Sequence, residues 1–222
     1  MERQWSGMIQ AKPIRSQWNT GLNVDLLKYI GAKSVEVPQD FVRILYVDLL
    51  FAKKKFFVQQ VHSTIARSHI QKRQQRIEAG NGLDWSTAEA LAFGSLLLQN
   101  FNIRISGQDV GRGTFSQRHG MMVNQANDDV YIPLNALDKN QGYFEVTKLC
   151  RKNYYFFVCQ LKICNSILSE EAVLGFDYGF SIHDPKNLVI WEAQFGDFFN
   201  GAQIIIDTYI SGGECMCLFD LT

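Results

Sequence analysis

Residues 169–191 read SEEAVLGFDYGFSIHDPKNLVIW, a helical pattern followed by a turn and a short strand. Ser169 is a suitable N-cap, and the two glutamates that start at Glu170 stand in the first turn, where the helix dipole favours carboxylates. Residues 184–187 predict the turn. Residues 188–191 are continuously apolar, which is typical of a strand buried on both faces of a parallel sheet. This stretch therefore predicts an α/β fold.

A second helix–strand unit precedes the first one in the chain. Its helix is predicted to open with a capping box formed by Ser86 and Glu89 and to end near Asn100. Residues 101–105 then alternate between apolar and polar side chains, as a strand does, and they lead into a Gly-rich loop at residues 107–113. Two such units predict an α/β domain with a mainly parallel sheet flanked by helices.

Composition and charge narrow the classes of function. The 222 residues are 46% hydrophobic, enough for the core of one large domain. The 22 basic and 22 acidic residues balance, so we expect no nucleic acid and no membrane surface as a partner. No apolar run reaches the roughly 20 residues of a membrane span, and no targeting segment is evident. The five cysteines lack paired CxxC spacing, so neither a zinc site nor a disulfide framework is predicted.

Several longer motifs carry a resemblance to a known enzyme family. In chain order they are GLDW (82–85), TAEALA (87–92), SGQDVGRGTFSQRH (106–119), YIPLN (131–135), LSEEAVLGF (168–176) and WEAQFGDFFNGAQ (191–203). Together they resemble the decarboxylating component of the thiamine diphosphate-dependent 2-oxoglutarate and 2-oxoadipate dehydrogenase complexes. Residues 110–111 and 210–214 look closest to the 2-oxoadipate branch. The resemblance implies a transketolase-like pyrimidine-binding domain, present in part.

The same resemblance implies how the chain is divided. Residues 1–80 would be an N-terminal linker and helical segment, residues 81–214 the pyrimidine-binding domain, and residues 215–222 a tail that leaves the family pattern. Two irregular segments, residues 42–59 and 147–163, look inserted, because the family pattern continues almost directly across each. Their plainer interpretation is a buried strand with a basic flank. The codons at both ends of the first segment can match splice signals, so retained intron sequence is our leading hypothesis.

The resemblance also assigns residues to a cofactor site. Thiamine diphosphate requires a carboxylic acid hydrogen-bonded to N1′ of its aminopyrimidine. Glu170 matches the family position of this acid, and Glu171 is the alternative because the register within the pair is open. Phe195 and Phe198 would stack on the pyrimidine ring, although the local pattern fits ordinary core aromatics equally well.

Three further polar residues are candidates by the same resemblance. Gln108 and Asp109 match positions near the cofactor and the dimer interface, and their alternative role is to bond the backbone of a turn. His119 could contact the carboxylate of a 2-oxoacid, or it could be structural. In the family an upstream domain holds the diphosphate and magnesium. We therefore expect thiamine diphosphate as the cofactor, magnesium only with that domain, and no metal ligand in this chain.

For the complete family enzyme the resemblance implies oxidative decarboxylation of a 2-oxodicarboxylic acid, with 2-oxoadipate and 2-oxoglutarate both open. The acyl group passes to the lipoyl arm of a dihydrolipoyl acyltransferase core. It further implies a homodimer in the mitochondrial matrix. We expect this chain to contribute the aminopyrimidine half-site and to be inactive alone. The alternative is a non-catalytic short product that binds full-length subunits as an interaction or inhibitory partner.

Overall fold

The computed structural model describes residues 19–38, 42–49, 52–59, 61–138 and 161–213. The α-helices and strands are, in chain order, α1 (Val24–Lys33), β1 (Val42–Leu49), β2 (Ala52–Gln59), α2 (Ser63–Ile65), α3 (Lys72–Ala79), α4 (Trp85–Leu98), β3 (Asn102–Gly107), β4 (Met122–Val123), β5 (Val130–Tyr131), β6 (Leu161–Asn165), α5 (Glu170–Ser181), β7 (Asn187–Glu192) and α6 (Gln203–Ile205). Short 3-10 and π-helical segments join or extend them at Ala66–Gln71, Pro133–Ala136, Asp197–Ala202 and Ile206–Ile210. No helix in these ranges is both long and apolar enough to cross a membrane.

The central feature is a three-stranded parallel sheet in the order β6-β3-β7. Ile103 and Ile105 of the middle strand are each 1% exposed, so both sit in the core. Residues 188–191 form part of β7, which runs parallel to β3 and contacts α5. The predicted burial on both faces was wrong, because β7 is at the edge of the described sheet and its residues are only partly buried. The predicted α/β class with a parallel sheet is confirmed.

Helix α4 begins at Trp85, and its N-cap is Asp84 rather than Ser86. Asp84 Oδ1 accepts a hydrogen bond from Thr87 N at 2.8 Å, and the Ser86 hydroxyl donates to the same oxygen at 3.0 Å. The predicted capping box was therefore wrong, because the carboxylate of Asp84, two residues earlier, accepts the hydrogen bond from the exposed N–H of Thr87. Glu89, the other member of that box, turns instead toward Arg118.

Helix α5 is held on the sheet by a buried carboxylate. Asp177 is 2% exposed and accepts a hydrogen bond from Arg104 Nε at 2.7 Å, and the Ser106 hydroxyl donates to its other oxygen. Ser169 occupies the N-cap position that the sequence predicted, but its side chain makes no capping hydrogen bond. The ion pair between Asp177 and Arg104 thus holds the middle of α5 on β3.

The structure describes the two suspected insertions to different extents. Residues 42–59 contribute β1 and β2, an antiparallel pair in which Val42 lies opposite Gln59 and Leu49 opposite Ala52. Within the described ranges this pair is a sheet of its own, separate from β6-β3-β7. Residues 147–160 and 215–222 lie outside the described residues, while residues 161–163 belong to β6. Their origin as inserted sequence stays a prediction.

Candidate active site

The candidate site lies at the carboxyl ends of the parallel strands, where ligands bind in open α/β sheets. Residues 107–120, here called the site loop, leave β3 at Gly107. The carbonyl of Gly107 accepts a hydrogen bond from Ser166 N at 2.8 Å, and Gly111 N donates to Asn165 Oδ1 at 3.2 Å. These bonds tie the site loop to the connection between β6 and α5.

Glu170 is the first residue of α5, and its carboxylate faces the site loop. Gln108 Nε2 donates to Glu170 Oε1 at 3.4 Å, whereas Glu171 is exposed. A β-carbon added to Gly201 would lie 3.2 Å from Glu170 Oε2, so the segment after β7 passes close over the carboxylate. A small cleft results, lined by Gln108, Ser166, Ile167, Glu170, Trp191, Glu192 and Gln194.

The aromatic residues after β7 are presented to solvent. Phe195 is 58% exposed and Phe198 is 50% exposed. Phe195 has φ +57°, a left-handed conformation that costs a non-glycine residue on the order of 1 kcal/mol. Gln194, its neighbour, accepts a hydrogen bond from Thr114 Oγ1 of the site loop at 2.9 Å. The aromatic rings are thus not core residues; both are exposed in the segment that follows the cleft residue Gln194.

Asp109 and His119 occupy other sides of the site loop. Asp109 is exposed, and its carboxylate accepts a hydrogen bond from the Arg112 guanidinium at 2.9 Å, a contact between side chains and not the bond to turn backbone considered as the alternative. The His119 ring packs edge-on against His69 with 5.0 Å between ring centroids. The structure therefore brings Gln108 to Glu170, while it brings His119 to the π-helical turn Ala66–Gln71.

His69 should make the fold sensitive to acid. Its side chain is buried, and Nε2 has no hydrogen-bond partner among the described residues. Burial, reinforced by the charge of Arg73, lowers the pKa of His69 from 6.5 to about 3. The unfolded chain then binds more protons than the folded chain between these values, so stability falls as the pH drops below 6.5. We expect a loss of about 2 kcal/mol between pH 7 and pH 5 from this residue alone.

Urea unfolding of the chain at pH 7 and pH 5 measures this loss. A His69→Phe variant should show a smaller loss, because a phenyl ring keeps the packing and has no proton to bind. His183→Gln, at an exposed position, serves as the control. An undiminished acid sensitivity in His69→Phe would refute the assignment.

Arg118 is a site residue that sequence reasoning missed. Its guanidinium is buried and donates to the carboxylates of Glu89 and Glu192 and to the carbonyl of Val110. Both carboxylates raise the pKa of Arg118 even though burial opposes them, so the cation is retained. No local pattern pointed to this network, because its members come from three separate parts of the chain.

The family model and the similar proteins found by comparison agree on one family. Residues 81–222 match the model of the transketolase pyrimidine-binding domain. The chain is 50% identical over 218 residues to the 2-oxoadipate dehydrogenase complex component E1 of Mus musculus and 53% identical over 218 residues to that of Xenopus laevis. Each match covers 98% of this chain and 20% of the relative. The 2-oxoglutarate dehydrogenase E1 component of Brucella ovis is 45% identical over 216 residues, covering 96% of this chain and 18% of that protein.

The chain thus spans about a fifth of the length of these curated relatives. The family match extends over more than half of the chain, and it includes the site loop, the start of α5 and the segment after β7. The resemblance carried by the sequence motifs is confirmed at this level: the chain belongs to the transketolase pyrimidine-binding domain family, in a form similar to part of the E1 component of 2-oxoacid dehydrogenases.

Proposed function

We propose that this chain supplies the aminopyrimidine half-site of a thiamine diphosphate-dependent 2-oxoacid dehydrogenase that decarboxylates 2-oxoadipate or 2-oxoglutarate. One observation carries the proposal. The Glu170 carboxylate lies at the start of a helix, within 3.4 Å of Gln108 Nε2 and at the edge of a cleft that also contains Trp191. The family match and the names of the relatives support the choice of cofactor and of reaction class.

The residues present fit the aminopyrimidine end of the cofactor. That ring needs a carboxyl group at N1′ and an apolar surface on its face. Glu170 offers the carboxyl group, and the exposed rings of Phe195 and Phe198 offer the surface. Gly201 has no side chain to crowd Glu170, since a β-carbon there would already stand 3.3 Å from Glu170 Cβ.

Each residue has a distinct task in this proposal. When bound, thiamine diphosphate supplies the nucleophilic carbon and the electron sink for decarboxylation. Glu170 holds a proton at N1′, Gln108 orients the Glu170 carboxylate, and Phe195 covers the ring and excludes water. We give His119 no contact with the aminopyrimidine, since its ring lies against His69. Its predicted contact with the substrate carboxylate stays a proposal.

The half-site is proposed to reach only one end of the cofactor. Among the described residues no group of three or more His, Cys, Asp or Glu side chains could hold a metal ion. From the family resemblance, we assign the diphosphate and its magnesium to an upstream domain. The names of the relatives, which are components of 2-oxoacid dehydrogenases, support an acyltransferase partner. A homodimer, a mitochondrial location and no turnover by this chain alone are proposed from the family resemblance.

Binding of the isolated ring tests the proposal. We would titrate the chain with 4-amino-5-hydroxymethyl-2-methylpyrimidine and follow the fluorescence of Trp191, which lines the cleft. The background for this titration replaces Trp5, Trp18 and Trp85 with phenylalanine, so that Trp191 is the one tryptophan left of the four in the sequence. Quenching is expected, and Phe195→Ala should weaken binding about tenfold or more through lost stacking.

Phe199→Ala is the matched control for this titration. Phe199 is 50% exposed in the same segment but is not proposed to contact the ring. It should bind the pyrimidine as the unsubstituted chain does. Absence of binding by the unsubstituted chain, or equal losses in both alanine variants, would contradict the proposed half-site.

A further inference from the structure

Arg118 connects two carboxylates with an unusually complete set of hydrogen bonds. Its Nε and Nη2 donate to Glu89 at 2.6 and 3.1 Å, its Nη1 and Nη2 donate to Glu192, and Nη1 also donates to the Val110 carbonyl at 2.8 Å. All five N–H groups of a guanidinium are accounted for by these bonds. Each carboxylate is bound through both of its oxygens, so its position and its orientation are both restrained.

The two carboxylates lead to different parts of the molecule. Glu89 is in α4, beside the buried guanidinium of Arg73, which donates to Ser86 Oγ at 2.9 Å. Glu192 is the last residue of β7, three positions before Phe195. The Glu89 contact therefore anchors Arg118 to the core helix, and the Glu192 contact restrains the strand that leads to the proposed ring-stacking residue.

The site loop holds both walls of the cleft. On one side Gln108 donates to Glu170. On the other side Arg118 binds Glu192, and Thr114 binds Gln194 at 2.9 Å. Because the exit of β7 is tied down at two points, the backbone of Phe195 can be kept in its left-handed conformation without support from a buried ring.

We propose that Arg118 is a positioning residue that acts through Glu192 to place Phe195 relative to Glu170, and so sets the geometry in which the half-site binds the aminopyrimidine ring. This role rests on the proposed function and goes beyond it, because Arg118 itself does not contact the ring. A restrained wall matters because small displacements of a binding group weaken stacking and misalign the reacting atoms.

The test uses the two carboxylates as a matched pair. Replacement of Arg118 by an apolar residue would leave two partly buried carboxylates unpaired and could unfold the chain. Glu192→Gln and Glu89→Gln instead each remove one charge while keeping size and one acceptor oxygen. The two side chains are 29% and 30% exposed, so a purely structural role predicts similar effects.

The first measurement is the Kd of 4-amino-5-hydroxymethyl-2-methylpyrimidine for the full chain, followed through Trp191 fluorescence in the background in which the other three tryptophans are replaced by phenylalanine. Glu192→Gln is expected to raise this Kd about tenfold or more, and Glu89→Gln to change it less than about threefold. Arg118→Lys should resemble Glu192→Gln, because a lysine ammonium lacks the planar fork that binds two carboxylates.

The second measurement needs no ligand. Amide hydrogen exchange in residues 193–199 should be faster in Glu192→Gln than in Glu89→Gln, while thermal unfolding shows that both variants are folded. Equal changes in the two variants, in Kd and in exchange, would overturn the positioning role. Absence of binding by the unsubstituted chain would overturn the proposed function instead, and the exchange comparison would still decide whether Glu192 restrains this segment.

Discussion

Replacing Glu170 with glutamine in the complete enzyme of the proposed function is expected to reduce its thiamine diphosphate-dependent turnover by about a hundredfold to ten-thousandfold. This is the range for loss of a general acid or base. Glutamine has nearly the same shape, and its side-chain oxygen can still accept the hydrogen bond that Gln108 Nε2 donates at 3.4 Å. It cannot exchange a proton with N1′ of the aminopyrimidine. The defect should therefore lie in chemistry rather than in folding.

The measurement is the rate of exchange of the cofactor C2 proton for deuterium, together with decarboxylation of 2-oxoadipate and of 2-oxoglutarate. Glu171→Gln is the control, because Glu171 is exposed on the next position of α5. We expect it to retain normal exchange. If Glu171→Gln were inactive and Glu170→Gln active, the acid would be Glu171, and the choice between the two registers would be reversed.

Replacing Gly107 with alanine is expected to destabilise the chain by about 3 kcal/mol or more, a large part of the 5–15 kcal/mol that holds a typical domain. Gly107 ends β3 with φ +147°, a conformation that is essentially restricted to glycine. An added β-carbon would stand 2.4 Å from the carbonyl oxygen of Glu192 and 2.7 Å from Val110 Cγ1. The first of these neighbours is backbone of β7 and cannot rotate away.

Gly179→Ala, in the same domain, is expected to change the stability in the opposite direction. An added β-carbon there meets no atom within 4 Å, and the position is inside α5. Alanine should stabilise the helix by about 0.5–1 kcal/mol. Urea unfolding of both variants measures the difference. Normal stability of Gly107→Ala would contradict the close approach of β3 and β7 at the edge of the site.

Local patterns in the sequence predicted much of this fold. The stretch from Ser169 to Trp191 indicated both α5 and β7, because a helix buries one face at a period of about 3.6 residues and a short, continuously apolar run is typical of a strand in a parallel sheet. The cap of α4 was wrong for a local reason as well. Asp84 and Ser86 both suit an N-cap, and the sequence alone does not rank two acceptors that stand two residues apart.

The candidate site was also predicted only in part from local sequence. Family motifs pointed to Glu170, Phe195 and Gln108, yet the contact between Gln108 and Glu170 spans 62 positions and depends on how the sheet is assembled. The roles of residues 42–59 and of the substrate branch stay predictions, since neither the sheet order nor the family match decides them.

The sequence by itself determined the class of the fold and the family, because periodicity and motif order are properties of neighbouring residues. For the candidate acid it predicted Glu170 and left Glu171 open as the alternative. Only the tertiary structure decided which side chains share a site. Arg118 meets Glu192 across 74 positions, and His119 meets His69 rather than the cleft. The physical reason is that hydrogen bonds and ion pairs act over a few ångströms in space, and the separation of two residues along the chain does not specify that distance.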